Sequence, residues 1–151
     1  MADLEGTESI EIDAPVERCF EIAADIERAP EWQGTMQFAR AVERDDAGRP
    51  ALVETELDAS VATLRVCLRF AYDEPRAIDW RRERGDLRAL EGAWRFEPLG
   101  DERTRATYRL EIGLNRTLSL LRKGIRGPAE DRIRHLLLSR PVEGLKRHAE
   151  A

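Results

Sequence analysis

Apolar and polar residues alternate along much of the chain, in short stretches separated by turn residues. The clearest alternation runs through residues 90–97 and 104–112, which the turn Leu99-Gly100-Asp101-Glu102 joins. A period of two with one apolar and one charged face is typical of antiparallel strands in a sheet that has one face buried and the other exposed to solvent. Similar stretches occur at Ser9–Ile12, Met36–Arg44, Ala51–Asp58, Ala62–Tyr72 and Arg76–Arg84. The sequence therefore predicts seven strands joined by hairpin-length turns into one meandering sheet.

Two short helices are predicted directly after the first strand. Asp13-Ala14-Pro15 is a helix start, because proline suits the first turn and has no amide proton to lose. The apolar residues that follow at helical spacing are Val16, Cys19, Phe20 and Ala23. A second helix is predicted over Ile26–Ala29, and Pro30 is expected to stop it.

A long helix is predicted near the C-terminal end, after Pro128. Ile133, Leu137, Pro141 and Leu145 recur every four residues, which indicates about twenty residues of helix, roughly 30 Å long. Pro141 lies on this apolar stripe and is expected to kink the helix. A helix of this length is the candidate cover for the apolar face of the sheet.

The predicted inner face of the sheet is rich in aromatic residues. Seven of the nine aromatics fall on it: Phe38, Phe70, Tyr72, Trp80, Trp94, Phe96 and Tyr108. The sheet is therefore strongly one-sided and needs a cover. The alternating pattern does not distinguish side chains that line a cavity from side chains that fill a core.

Length and charge favour a single soluble domain over residues 1–151. Charged residues make up 36% of the chain, and the net charge of -5, with arginines interleaved among acidic residues, argues against nucleic-acid binding. No apolar run approaches the ~18 residues of a membrane span, and the N-terminus lacks the apolar core of a signal peptide. Cys19 and Cys67 are far apart without CxxC spacing, so reduced thiols and a cytoplasmic location are expected.

Two sequence motifs resemble the START-related superfamily, which includes polyketide cyclase/dehydrase proteins and coenzyme Q-binding-like proteins. They are Ile12–Arg18 (IDAPVER) with Trp32 downstream, and Gly92–Pro98 (GAWRFEP) leading into Gly100-Asp101. The resemblance runs through nearly the whole chain. It implies an α+β helix-grip fold, in which a seven-stranded curved antiparallel sheet wraps round a long C-terminal helix and two short helices follow the first strand.

The resemblance further implies a cavity for a hydrophobic molecule such as a lipid, a polyketide or an isoprenoid quinone. The apolar side chains expected to contact it are Trp32, Phe38, Val66, Leu68, Phe70, Trp80, Trp94, Phe96, Tyr108, Ile133 and Leu137. Arg40, Arg82 and Tyr72 are the polar groups expected to reach inward. Core packing of the aromatics, and a strand bulge that returns the arginines to solvent, are the alternatives.

Signatures of catalysis are missing, so no catalytic residue, metal or cofactor is predicted. His135 and His148 would lie about 140° apart around one helix and cannot jointly hold a metal or substrate. The G-x-S-x-G, H-E-x-x-H and G-x-G-x-x-G motifs do not occur. A binding protein is therefore favoured over an aromatase/cyclase-type enzyme, which needs only a shaped pocket and one or two proton-transfer groups.

The segment Leu114–Gly127 is basic and, if helical, amphipathic. Its apolar residues share one stripe and its remaining surface carries four basic and no acidic residues. Packing back onto the domain as a lid is the favoured interpretation. Peripheral contact with an anionic membrane or with a partner is the alternative. The oligomeric state is not predicted.

Overall fold

The structure is a computed structural model and describes residues 2–58, 63–114 and 130–151. Its strands form one antiparallel sheet. In the described residues the strands are β1 (Leu4–Ile12), β2 (Met36–Arg44), β3 (Pro50–Asp58), β4 (Thr63–Asp73), β5 (Ala77–Gly85), β6 (Ala89–Gly100) and β7 (Arg103–Gly113). Their order is β1-β7-β6-β5-β4-β3-β2. Strands β2 to β7 thus follow one another as hairpins, as the alternation predicts, and β1 pairs with β7.

The two short helices after β1 are α1 (Val16–Ala24) and a 3-10 helix (Ile26–Glu31). The second helix continues past Pro30, where the sequence predicts a stop. The carbonyl of Ala29 accepts hydrogen bonds from the amides of both Trp32 (3.1 Å) and Gln33 (2.7 Å), so the turn closes around the proline without needing its missing amide.

The C-terminal helix has three parts, α2 (Glu130–Arg134), a π-helical segment (His135–Ser139) and α3 (Arg140–Ala149). The amide of Arg140 donates to the carbonyl of His135, five residues earlier. At the position of the predicted kink, the helix therefore carries a wider π turn immediately before Pro141. Such turns are known to accompany functional sites.

The last part of this helix is fastened to the start of the chain. The guanidinium Nε of Arg18 donates to the carbonyl of Ala149 over 2.6 Å, and Lys146 Nζ donates to the carbonyl of Glu11 over 2.9 Å. Gly144 packs against the backbone of Trp32, since a Cβ there would lie 2.1 Å from the Trp32 carbonyl oxygen. No helix of the described residues is both long and apolar enough to span a membrane.

Strand β2 ends the sheet on one side. The 3-10 helix lies beside it, and the carboxylate of Glu27 accepts a hydrogen bond from the amide of Ala41 over 3.1 Å and pairs with Arg44.

Phe38 is exposed on the outer face of β2, so the inward orientation predicted for it is wrong. Met36 is paired with Leu57, and a register shift follows before Phe38, which is paired with Glu56. This irregularity breaks the two-residue period and turns the phenyl ring away from the core. The side chain is 43% exposed.

Candidate ligand-binding cavity

A small cavity lies between the inner face of the sheet, the first helices and the π segment. Its volume is about 60 Å³. It is lined by Ala23, Ile26, Ala29, Gln33, Thr35, Met36, Leu57, Leu68, Phe70, Trp80, Leu90, Trp94, Tyr108, Leu110, Ile112 and Leu137. The lining residues are mostly apolar. They come from both short helices and the connection after them, from strands β2 to β7 and from the π segment, so the site depends on the complete domain.

Four aromatic rings form a continuous wall of the cavity. The ring centroids are 5.8 Å apart for Phe70 and Trp80, 5.6 Å for Trp80 and Tyr108, and 4.8 Å for Tyr108 and Trp94. Gly92 faces Trp80 across β5 and β6, and a Cβ there would lie 2.3 Å from the indole. The glycine therefore allows the tryptophan to lie flat on the sheet.

Three polar side chains reach this apolar space, namely those of Gln33, Thr35 and Tyr108. The amide Nε2 of Gln33 donates to the Tyr108 hydroxyl over 3.5 Å, a long and therefore weak hydrogen bond. Burial raises the pKa of Tyr108, although the hydrogen bond from Gln33 acts in the opposite direction. The hydroxyl is therefore protonated at neutral pH and is available as a donor.

Of the residues expected to contact a ligand, six line the cavity: Leu68, Phe70, Trp80, Trp94, Tyr108 and Leu137. Four others are buried in the core without lining it: Trp32, Val66, Phe96 and Ile133. The strand pattern thus locates the apolar face, but it does not separate cavity from filled core. Whether any of these side chains contacts a ligand stays a prediction.

The three polar groups expected to reach inward differ in their placement. Arg40 lies outside the core, 60% exposed and paired with Glu54 over 2.7 Å, so its predicted orientation is wrong for the same reason as that of Phe38. Tyr72 lies beside Phe70, and its hydroxyl donates to the carbonyl of Pro50 over 2.6 Å. Arg82 is half-buried on β5.

Gln33 and Thr35 are cavity residues that the sequence patterns miss. Both lie in the connection between the 3-10 helix and β2, where no periodicity marks a face. They are nevertheless only 8% and 5% exposed. Uncharged polar residues in a short connection carry no sequence signal of burial, so this part of the site required the structure.

The cavity is small for a ligand site. Pockets for drug-sized molecules measure roughly 300–1,000 Å³, against about 60 Å³ here. Two of its lining residues, Leu57 and Leu137, are only partly buried. A ligand of several rings or a long chain therefore has to widen this space, and these two side chains lie where it is least enclosed.

The segment Leu114–Gly127, predicted as a lid or a membrane-contacting element, lies outside the described residues except for Leu114. Leu114 is buried, and its amide donates to a carboxylate oxygen of Asp3 over 2.7 Å. The interpretations of this segment stay predictions.

Solved structures with the same architecture include a START superfamily protein from Mycobacterium smegmatis, with 19% identity and a TM-score of 0.81 over 97% of each chain. A protein from Thermus thermophilus shares 23% identity and has a TM-score of 0.79, again over 97% of each chain. The Zhui aromatase/cyclase from Streptomyces shares 17% identity, with a TM-score of 0.74 over 97% of this chain and 93% of that one.

These structural similarities confirm the helix-grip fold. Because the sequence identities are low, they do not identify a ligand for this chain. Among curated proteins, none matches the chain significantly. The model of the family described as polyketide cyclase/dehydrase and lipid transport matches residues 3–150. The chain therefore belongs to the polyketide cyclase/dehydrase and lipid transport family.

Proposed function

We propose that the protein binds a hydrophobic small molecule between the sheet and the C-terminal helix. The observation that carries this proposal is an apolar cavity with an aromatic wall and three polar side chains, Gln33, Thr35 and Tyr108. Small-molecule sites typically combine such a lining with few polar groups. Burial of apolar ligand surface, at about 25 cal/mol per Å², supplies the affinity, and the polar groups fix the orientation.

Entry of the ligand requires the cavity to widen. The C-terminal helix is held at both ends, since Arg134 of α2 donates from Nη1 to the carbonyl of Glu5 over 3.1 Å. Its α3 part is held by the hydrogen bond that Arg18 donates to it, by the one that Lys146 donates to β1, and by the close contact at Gly144. The π segment contributes Leu137 to the cavity and lies directly before Pro141. Widening is therefore expected at the π segment rather than along α3.

Filling the cavity is expected to prevent ligand binding without unfolding the protein. Ala29 is 2% exposed and lines the cavity, so Ala29→Leu places three more carbon atoms there. We expect native mass spectrometry of the purified protein, or of delipidated protein offered a lipid and quinone extract, to show a bound apolar species. Ala29→Leu should lose it.

Ala47→Leu is the matched control, because Ala47 is exposed in the turn between β2 and β3. This variant should retain the bound species. Wild-type protein that stays empty against all extracts would contradict the proposed function. Retention of the ligand by Ala29→Leu would instead place the ligand elsewhere.

A second candidate is an aromatase/cyclase-type activity, favoured by the hydroxyl of Tyr108 inside the cavity. Since its pKa is raised by burial, this group can donate a proton or a hydrogen bond to a bound carbonyl but is a poor base at neutral pH. Arg40 is exposed and the hydroxyl of Tyr72 already donates to the carbonyl of Pro50. Of the predicted inward groups, Arg82 therefore joins Tyr108 as a group that could act on a ring.

Tyr108→Phe tests this candidate. The loss of a long hydrogen bond should lower the free energy of unfolding by about 1 kcal/mol or less. If the protein is a cyclase, turnover of a poly-β-ketone analogue should fall roughly 10²-fold or more, as for other proton-transfer groups, while binding persists. Product analysis by liquid chromatography provides the measurement. Unchanged turnover would exclude Tyr108 as the proton donor.

A further inference from the structure

Arg82 is a charged side chain on the apolar inner face of β5. Its partner across the ladder to β4 is Leu68, and Trp80 precedes it by two residues on the same face. Both Leu68 and Trp80 line the cavity. The paired residues of β5 and β6 end at Arg81 and Glu91. Arg82 itself does not line the cavity, but it follows the lining residue Trp80 on the same face of β5, where these two strands separate.

Regular alternation along β5 from Ile78 through Trp80 turns Arg82 inward, and a strand irregularity follows directly after it. Cys67 is paired with Arg84 and Leu68 with Arg82, so Glu83 is an extra residue on β5. Glu83 itself is exposed and pairs with Arg69 over 2.8 Å. Bulges of this type re-aim single side chains and are frequent beside active sites. Without it, the alternation of β5 would place its last residues differently relative to the cavity.

The guanidinium of Arg82 is incompletely bonded. Its Nη2 donates to the carbonyl of Gly85 over 3.2 Å. Its Nε is buried and has no hydrogen-bond partner among the described residues. Arginines on the outer face have carboxylate partners instead, such as Arg95 with Asp79 and Arg69 with Glu83. A buried donor without an acceptor is unfavourable, so it requires an explanation.

We propose that Arg82 binds the carboxylate of the ligand, which is then an apolar molecule with an acidic end. This inference rests on the proposed function and names the chemistry of its ligand. A guanidinium offers N–H donors in a fixed planar fork that matches a carboxylate. In a cavity that the ligand has widened as far as Arg82, the aromatic wall contacts the apolar part, and the carboxylate gives the Nε of Arg82 the acceptor that the protein does not supply.

Two probes of equal chain length, dodecanoate and dodecanol, test the proposal. All three tryptophans lie in or beside the cavity: Trp80 and Trp94 line it, and Trp32 lies 6.3 Å from Trp94 between ring centroids. Intrinsic fluorescence therefore reports binding directly. We expect the wild-type protein to bind dodecanoate at least about tenfold more tightly than dodecanol, since a charge-assisted hydrogen bond is lost in the alcohol complex.

Arg82→Gln should abolish this preference and leave the affinity for dodecanol unchanged. Arg82→Lys keeps the charge, lacks the Nε donor and should lose part of the preference; it serves as the test variant if circular dichroism shows that Arg82→Gln is unfolded. Arg81→Gln is the matched control, because Arg81 is the exposed neighbour on the other face, and it should behave as wild type.

The possible failures are distinguishable. Equal wild-type affinities for the two probes would overturn the role of Arg82 and leave the proposed hydrophobic binding intact. An unchanged preference in a folded Arg82→Gln or Arg82→Lys variant would do the same. Absence of binding for both probes would overturn the proposed function together with this inference.

Discussion

Replacement of Trp94 by alanine is expected to lower the free energy of unfolding by about 3–5 kcal/mol. Trp94 is 3% exposed, and its ring lies 5.7 Å from that of Phe96 and 4.8 Å from that of Tyr108. Truncation removes the largest apolar side chain of this cluster and leaves a void that rigid strands cannot fill. The cavity beside it would also grow.

Thermal and urea unfolding measure this effect. At roughly 2–4 °C per kcal/mol for a chain of this size, the Tm should fall by about 6–20 °C. Phe38→Ala is the matched control, because the same alternating pattern predicts an inward ring at both positions, yet Phe38 is 43% exposed. Its effect should stay within about 0.5 kcal/mol. Equal losses in the two variants would contradict the observed orientation of Phe38.

Replacement of Gly144 by alanine is expected to lower the free energy of unfolding by about 2 kcal/mol or more. A Cβ at this position would lie 2.1 Å from the carbonyl oxygen of Trp32 and 3.1 Å from its carbonyl carbon. Because the obstacle is backbone, either α3 or the connection after the 3-10 helix has to move. The higher helix propensity of alanine, worth about 1 kcal/mol, acts in the opposite direction and does not offset the overlap.

The matched control for Gly144→Ala is Glu143→Ala, at the exposed neighbouring position of α3. Its unfolding midpoint in urea should be almost unchanged. Gly144→Ala should also weaken ligand binding, since the Trp32 backbone is continuous with the connection that brings Gln33 and Thr35 to the cavity. A variant as stable as wild type would show that α3 and this connection are less tightly packed than the structure indicates.

The sequence predicts the architecture well, because the sheet is built by local rules. Alternation and turn residues place β2 at Met36–Arg44, as observed, and the other strands within a few residues, apart from β1, which begins at Leu4 rather than Ser9. Burial of one face then requires a cover, and the C-terminal helix supplies it. The motif at Gly92–Pro98 marks the fold because Gly92 must accommodate the indole of Trp80.

The site is less predictable because it depends on departures from those rules. One register shift in β2 reverses Phe38 and Arg40, whereas Arg82 keeps the inward orientation that the alternation predicts. The alternation of apolar and polar residues does not show where a single extra residue is inserted in a strand. The cavity volume depends on how side chains from several elements interlock, which neither spacing nor composition encodes.

The carboxylate of Glu27 has a consequence for how copies of this protein behave in concentrated solution. An open sheet edge offers backbone donors to any passing strand and is a common starting point for aggregation. Glu27 occupies the amide of Ala41 on β2. That hydrogen bond, together with the one from Arg44, holds the pKa of Glu27 below its usual value. A second chain would therefore have to displace an ionised, hydrogen-bonded group before it could extend the sheet at Ala41, so the helix beside β2 protects this edge against strand-to-strand aggregation.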